Sequence, residues 1–120
     1  MEKTNPILDK SMAFAVRIVN LYKYLKDTRS EYVISKQLLR SGTSIGANVR
    51  ESVYAQSQAD FKSKMYIALK EANESAYWIE LLKRTQYLTE AQSRDILGDC
   101  IELIKILSSI TKTLNDKNNS

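Results

Sequence analysis

The sequence predicts an all-α protein, an up-down-up-down antiparallel four-helix bundle, on the basis of three observations. The 120 residues include only three Gly and one Pro, so few residues interrupt a helix. Apolar residues recur at helical spacing in four long segments. Only a few residues separate these segments, and short connections make neighbouring helices antiparallel. We expect one domain over residues 1–120, a length that suits a single core.

The first helix is predicted over residues 5–27. Asn5 is a good N-cap, and Pro6 suits the first helical position because its missing N–H has no partner there. The expected core face consists of Ile7, Leu8, Met12, Ala15, Ile18, Val19, Tyr22 and Leu25.

The second helix is predicted over residues 29–56. Thr28 and Glu31 fit a capping box, in which a hydroxyl and a carboxylate each accept a hydrogen bond from a backbone N–H. Ser30 is an alternative cap. The expected core face consists of Ile34, Leu38, Ser41, Ile45, Val49 and Ser52.

The third helix is predicted over residues 58–86, after a box-like start at Ser57 and Asp60. Its expected core face consists of Phe61, Met65, Ala68, Leu69, Ala72, Ser75, Ala76, Ile79 and Leu82.

The fourth helix is predicted over residues 89–115, followed by a frayed polar tail at 116–120. Thr89 and Gln92 supply another capping box. The expected core face consists of Leu97, Cys100, Ile101, Ile104, Leu107, Thr111 and Leu114.

Further apolar residues exceed what one small core needs, and exposed apolar area of that extent usually marks an interface. We therefore predict a homo-oligomer whose interface includes Ile96, Leu103, Ile106 and Ile110 of the fourth helix, with Phe14 and Leu21 of the first.

The second helix also carries small and polar residues on its flanks. Gly42 and Gly46 are four apart and predict close approach of a neighbouring helix, with exposure of the backbone to a ligand as the alternative. Ser44, Asn48 and Glu51 form a polar seam on the other flank. We expect the seam to hydrogen-bond with the third or fourth helix, and a binding site is the alternative.

Basic residues line two helices of a chain whose net charge is +4. Lys36, Arg40 and Arg50 lie on the outward face of the second helix, and Lys10 and Arg17 lie on one side of the first. Such rows can bind RNA or DNA phosphates without reading bases. On spacing alone, a merely solvated surface is favoured over phosphate binding.

Catalysis is not expected. The chain has no histidine, which removes the commonest general base and metal ligand, and it has no Gly-rich phosphate loop. Glu71 and Glu74 are better explained as exposed charges than as an acid–base pair, and the single Cys100 as a buried core thiol. No catalytic residue, metal or cofactor is predicted. The absence of a signal peptide and of a long apolar run favours a cytoplasmic protein without membrane contact.

Two segments resemble the 23S rRNA intervening-sequence protein family: residues 37–52, QLLRSGTSIGANVRES, and residues 72–88, ANESAYWIELLKRTQYL. The resemblance spans about residues 10–115. These bacterial four-helix-bundle or ribosomal-protein-like chains are similar to the accessory variability determinant of diversity-generating retroelements. The resemblance implies a pentameric, barrel-like ring. For the retroelement relative it also implies binding to a reverse transcriptase and to nucleic acid through basic surface residues. It marks Ser44, Asn48 and Glu51 as signature positions and brings no catalytic residue.

These observations together predict a non-enzymatic, oligomeric helical bundle that contacts RNA or DNA phosphates through its basic surface. The alternative is a protein–protein adaptor or scaffold without a nucleic-acid role.

Overall fold

The computed structural model describes the backbone of residues 5–119 and the side chains of residues 5–116. Four helices follow one another along the chain: α1 (Pro6–Arg29), α2 (Ile34–Val53), α3 (Gln58–Arg84) and α4 (Glu90–Asn119). Each helix packs against the next, and α1 also contacts α4, so the four close into a bundle. The prediction of an all-α four-helix bundle is confirmed. Within the described part of the chain, no helix is long and apolar enough to span a membrane.

The direction of each helix is clear from which residues meet across the seams. Ser11 of α1 lies against Gly46 of α2, whereas the later residue Ile18 lies against the earlier residue Gly42. The contacts between α2 and α3 and between α1 and α4 run in the same opposed sense. Neighbouring helices are therefore antiparallel.

Three of the four helices begin at the predicted caps. Asn5 accepts a hydrogen bond from the backbone N–H three residues on, at 3.4 Å. Ser57 Oγ accepts from the N–H of Asp60 at 3.0 Å. Thr89 and Gln92 exchange hydrogen bonds of 2.9 and 3.1 Å between side chain and backbone, which completes a capping box.

The connection between α1 and α2 differs from the predicted capping box. α1 continues through Thr28 and ends at Arg29, because the next residue, Ser30, has a left-handed φ of 54°. Glu31 still caps α2, because its nearly buried carboxylate accepts from the N–H groups of Val33 (3.3 Å) and Ser35 (2.7 Å). α2 therefore begins at residue 34 instead of residue 29.

The other helix ends also move by a few residues. α2 stops at Val53 instead of residue 56, and α3 stops at Arg84 instead of residue 86. Gln86 has a left-handed φ of 69°, so the chain has already left the helix there. α4 reaches Asn119, beyond the predicted end at residue 115, and Ser120 lies outside the described residues.

The core faces of α2 and α3 are those the sequence predicts. Leu38, Ile45 and Val49 of α2 are fully buried, as are Ala72 and Ile79 of α3. The core consists of Ile7, Phe14, Ile18, Leu25, Leu38, Ile45, Val49, Met65, Ala68, Ala72, Ile79, Leu82, Leu88, Ile96, Cys100, Leu103 and Leu107.

The inward faces of α1 and α4 differ from the prediction. Phe14, Ile96 and Leu103 were expected at an oligomer interface, but each is at most 5% exposed within the single chain. Met12 and Ile101 were expected in the core, but they are 52% and 40% exposed. Both helices are apolar around much of their circumference, so spacing alone identifies only part of each inward face. The residues that are buried as predicted are Ile7, Ile18, Leu25, Cys100, Leu107 and Thr111. The remaining predicted interface residues are half-buried against the core: Leu21, Ile106 and Ile110.

The two central glycines of α2 allow α1 to approach closely, as predicted. A Cβ atom on Gly42 would lie 2.8 and 2.9 Å from two side-chain carbons of Ile18. A Cβ atom on Gly46 would lie 3.3 Å from the carbonyl oxygen of Ser11. Any larger residue at position 42 therefore has to displace buried atoms.

Candidate nucleic-acid interface

The two α1 residues predicted to bind phosphates are paired with carboxylates of α4. Lys10 Nζ lies 3.0 Å from a carboxylate oxygen of Glu102. Arg17 donates to Asp95 at 2.6 Å and also to Asp99. The hydrogen bond to Asp99 is the largest cause that raises the pKa of Arg17. These two cations hold α1 against α4, and the acidic groups beside them repel a phosphate.

Arg40 of α2 has a similar role across the seam with α3. Its guanidinium pairs with Glu71 at 3.2 Å and with Glu74. The indole N–H of Trp78 also donates a hydrogen bond of 3.0 Å to Glu74. This hydrogen bond lowers the pKa of the Glu74 carboxyl, and the contact with Arg40 lowers it further. Glu71 and Glu74 are therefore part of an interhelical ion-pair network instead of the solvated charges that the sequence suggested.

Lys36 and Arg50 are the two predicted phosphate contacts that stay exposed and unpaired. Among the side chains that the structure describes, neither has a carboxylate within 4.0 Å. Both lie on the outer face of α2, about 21 Å apart along the helix axis at its normal rise. The acid nearest in sequence, Glu51, is turned toward Lys64 of α3 at 3.5 Å.

The predicted polar seam mostly hydrogen-bonds with its own helix. Ser44 donates to the carbonyl of Arg40 at 2.6 Å, and Asn48 donates to the carbonyl of Ser44 at 2.8 Å. Only Glu51 reaches another helix, through Lys64. The seam therefore brings together no convergent set of polar groups for a ligand.

A buried polar contact between α2 and α3 is formed by residues outside the predicted seam. Ser41 and Ser75, both fully buried, are joined by a 2.8 Å hydrogen bond between their hydroxyls. The spacing placed both serines on core faces but did not pair them, because pairing depends on how two helices are aligned.

A shallow apolar groove lies between α1 and α2 on the outside of the bundle. Its volume is about 230 Å³, and its lining consists of Leu8, Ser11, Met12, Ala15, Thr43, Gly46, Ala47 and Arg50. Met12 and its neighbour Val16 are each 52% exposed. The groove and these two side chains form an exposed apolar surface between α1 and α2. None of the residues predicted to form the oligomer interface belongs to this surface.

A second basic surface, on the outer face of α3, was missed at the sequence level. Lys62, Tyr66, Lys70 and Tyr77 share this face, and we call these four residues the α3 face. Neither lysine has an ion-pair partner within 4.0 Å among the described side chains. The spacing of four residues between lysine, tyrosine and lysine is a signal that could have identified the surface.

The comparisons with known proteins decide the family. A model for the family described as 23S rRNA-intervening sequence protein matches residues 3–109. The chain belongs to this family. The resemblance drawn from residues 37–52 and 72–88 is thereby confirmed.

A solved member shows how closely the fold is shared. It is a crystal structure of a protein with unknown function from the S23 ribosomal protein family of Bacteroides thetaiotaomicron. The two chains are 60% identical and superpose with a TM-score of 0.87, over 88% of this chain and 98% of that chain. A comparison with curated proteins finds no match. Membership of the 23S rRNA-intervening sequence family therefore establishes the fold. The surface of the bundle is the basis for inferring what it binds.

The reactive groups of this family member are few in the described part of the chain. No three His, Cys, Asp or Glu side chains there come together as a metal site. Cys100 is buried and its thiol contacts the carbonyl of Ala72 at 3.2 Å. Burial raises the pKa of Cys100 to about 12, so the thiol is neutral and a poor nucleophile at pH 7.

Proposed function

We propose that this member of the 23S rRNA-intervening sequence family is a non-enzymatic helical bundle that binds RNA or DNA phosphates. The observation that supports the proposal best is the outer face of α2. It carries Lys36, Arg40 and Arg50, and among the described side chains neither Lys36 nor Arg50 has a carboxylate within 4.0 Å. Lys10 and Arg17 are not part of the proposed site, because carboxylates of α4 neutralise their charges.

Binding of this kind is electrostatic and does not depend on base sequence. Each Lys or Arg that meets a phosphate releases condensed counterions, so affinity falls steeply as salt is added. Arg40 is already held by Glu71 and Glu74, although about half of its side chain remains exposed. We therefore assign the main contacts to Lys36 and Arg50, with Arg40 as an auxiliary.

The test is a salt titration of binding to mixed-sequence RNA and DNA. For duplex DNA the slope of log K against log salt should change by about 1.8 in Lys36→Ala/Arg50→Ala, or about 0.9 for each contact. Lys105→Ala, an exposed lysine on α4, is the single-charge control for each substitution and should leave the slope unchanged. No binding at low salt, or an equal effect of Lys105→Ala, would refute the proposal.

We also propose that the protein self-associates, as the resemblance to a pentameric family implies, through the exposed apolar residues Met12 and Val16 of α1, beside the groove between α1 and α2. Met12 and Val16 expose half of their apolar surface beside this groove, where a second copy would bury them. Met12→Glu/Val16→Glu should reduce the mass in light scattering to that of the 13.7 kDa subunit while helicity is kept. Ile101→Glu, at an exposed apolar residue of α4, is the control. An oligomer that survives the α1 substitutions would rule out this interface.

A further inference from the structure

The α3 face alternates positive charge and aromatic rings along one line of the helix. Lys62, Tyr66 and Lys70 are four residues apart, and Tyr77 follows after seven more. At about 100° per residue these four positions fall within one quarter of the helix circumference. Tyr66 is 37% exposed and Tyr77 is 60% exposed, so both rings present a surface to solvent.

Tyr66 divides two shallow grooves that run along the α3 face. One groove, of about 570 Å³, is lined by Gln58, Ala59, Lys62, Ser63, Tyr66 and Leu114. The other, of about 390 Å³, is lined by Ser63, Tyr66, Ile67, Leu69, Lys70 and Asn73. Each groove thus combines the Tyr66 ring with one lysine, and a flat apolar group placed in either would contact both.

The charges on this face are available to an anion. Among the described side chains the ammonium of Lys62 has no carboxylate partner within 4.0 Å, and it lies over the Tyr66 ring, 6.0 Å from the ring centre. Lys70 is close enough to Glu74 to help lower its pKa, but the Glu74 carboxylate already pairs with Arg40. The face therefore offers two cations that form no ion pair within 4.0 Å in the described part of the chain, and these complement a partner that carries regularly spaced negative charges.

Tyr77 is held in place before any ligand arrives. Its ring packs edge to face against Trp78, with ring centres 4.9 Å apart and planes at 73°. The Trp78 indole is itself anchored by its 3.0 Å hydrogen bond to Glu74. A ring that is already ordered loses little conformational entropy when a flat group stacks on it.

We infer that the α3 face binds single-stranded nucleic acid, whose bases stack on Tyr66 and Tyr77 while its phosphates meet Lys62 and Lys70. The inference rests on the proposed phosphate binding and adds a second surface and a preferred form of ligand. Base faces are hidden inside a duplex, whereas single strands expose them to aromatic side chains. The two rings are about 16 Å apart along the helix, so they would contact separate bases of one strand.

The test compares a single-stranded RNA with a duplex of the same length, using the full chain at one low salt concentration. Tyr66→Leu/Tyr77→Leu keeps apolar bulk and helix propensity but removes both rings. We expect affinity for the single strand to fall roughly 10-fold for each ring, with duplex affinity unchanged. Tyr32→Leu, at an exposed tyrosine in the connection between α1 and α2, is the matched control and should have no effect.

Two further measurements keep the test decisive if the leucine variant is unstable. Lys62→Ala/Lys70→Ala should change the salt slope for the single strand by about 1.4, at about 0.7 for each contact. Stacking on Tyr77 should change the fluorescence of its neighbour Trp78, the only tryptophan of the chain. This signal should appear with the single strand and not with the duplex.

Each contrary result has a distinct meaning. Salt-dependent binding without a single-strand preference, and unaffected by the leucine variant, would overturn the α3 inference and leave the proposed function standing. No binding of either nucleic acid would overturn both. Tighter binding of a poly-glutamate peptide than of the single strand, lost in Lys62→Ala/Lys70→Ala, would assign the face to an acidic protein partner instead.

Discussion

α1 is held on its two sides by different physical means. Toward α2, Gly42 and Gly46 remove the side chains that would separate the two backbones, and Ile18 fills the contact. Toward α4, Lys10 and Arg17 bridge to carboxylates that are mostly open to solvent. Packed apolar atoms are costly to disturb, whereas exposed ion pairs contribute at most about 1 kcal/mol each. The α1–α2 seam should therefore dominate stability.

The largest loss of stability should follow from truncating a buried side chain in the α1–α2 seam. Ile18 is 1% exposed and lies against Gly42. Ile18→Ala should lower the free energy of unfolding by about 2–5 kcal/mol, because it removes buried methyl groups and leaves a cavity. Urea denaturation followed by circular dichroism measures the change. A decrease in the free energy of unfolding of less than about 1 kcal/mol would mean that neighbouring side chains relax into the cavity.

Filling the same seam should also destabilise the bundle. Gly42→Ala places a Cβ atom against buried carbons of Ile18, and overpacking of this kind costs about 1–3 kcal/mol. The higher helix propensity of Ala offsets about 1 kcal/mol of that cost. In an Ile18→Ala background the contacts of 2.8 and 2.9 Å are gone and only the contact with the Cβ atom of residue 18, at 3.3 Å, remains. Gly42→Ala should then be less destabilising or stabilising. A double-mutant cycle that shows no coupling between the two positions would contradict the close approach.

A glycine away from any seam provides the control. Beyond the backbone of its own helix turn and its chain neighbours, no atom of the described residues lies within 4 Å of a Cβ atom built on Gly98 of α4. Gly98→Ala should therefore raise the free energy of unfolding by up to about 1 kcal/mol through helix propensity alone. Opposite signs for Gly98→Ala and Gly42→Ala would separate propensity from packing, and a destabilised Gly98→Ala would point to an unseen contact.

The charged α1–α4 seam should respond weakly, and only at low salt. Arg17→Met keeps much of the aliphatic side chain but removes the pairs with Asp95 and Asp99. The expected loss is at most about 1 kcal/mol for each of the two pairs and should vanish at 1 M salt, where the Debye length falls to about 3 Å. Thermal melts at both salt concentrations test this. A loss that persists at high salt would show that Arg17 acts by packing.

The ion-pair network between α2 and α3 should make the stability of the bundle depend slightly on pH in the acid range. The Trp78 hydrogen bond and Arg40 lower the pKa of Glu74 in the folded chain. A carboxyl with a lowered folded pKa stabilises the fold above its unfolded pKa and loses that contribution as pH falls through the folded value. Glu74→Gln should therefore flatten the decline in stability below about pH 4, as read from melting temperature against pH. An unchanged profile would assign the acid sensitivity to other carboxylates.

The inward faces of α2 and α3 were predictable because each helix has one clear apolar stripe. Ile45 and Ile79 lie at the centres of such stripes and are fully buried. α1 and α4 carry apolar residues on more than one side, so Phe14 and Leu103 could be assigned to either the core or an interface. The structure places both in the core, because rotation of a helix about its axis is decided by its neighbours.

The candidate sites show the same limit. Spacing within one helix placed Lys36 and Arg50 on an outward face correctly. It could not show that Arg17 pairs with Asp95, because those residues are 78 positions apart in sequence. Which cations remain available for phosphates therefore depends on contacts that no single helix contains.

The sequence alone determined the fold class, the caps of α1, α3 and α4, and the close-packing glycines, because these depend on residues within one or two helical turns. It also carried enough signature in residues 37–52 and 72–88 to indicate the family. Only the tertiary structure decided which sides of α1 and α4 face inward and which basic residues are neutralised. Both outcomes arise from side chains of different helices competing for the same space and the same charges.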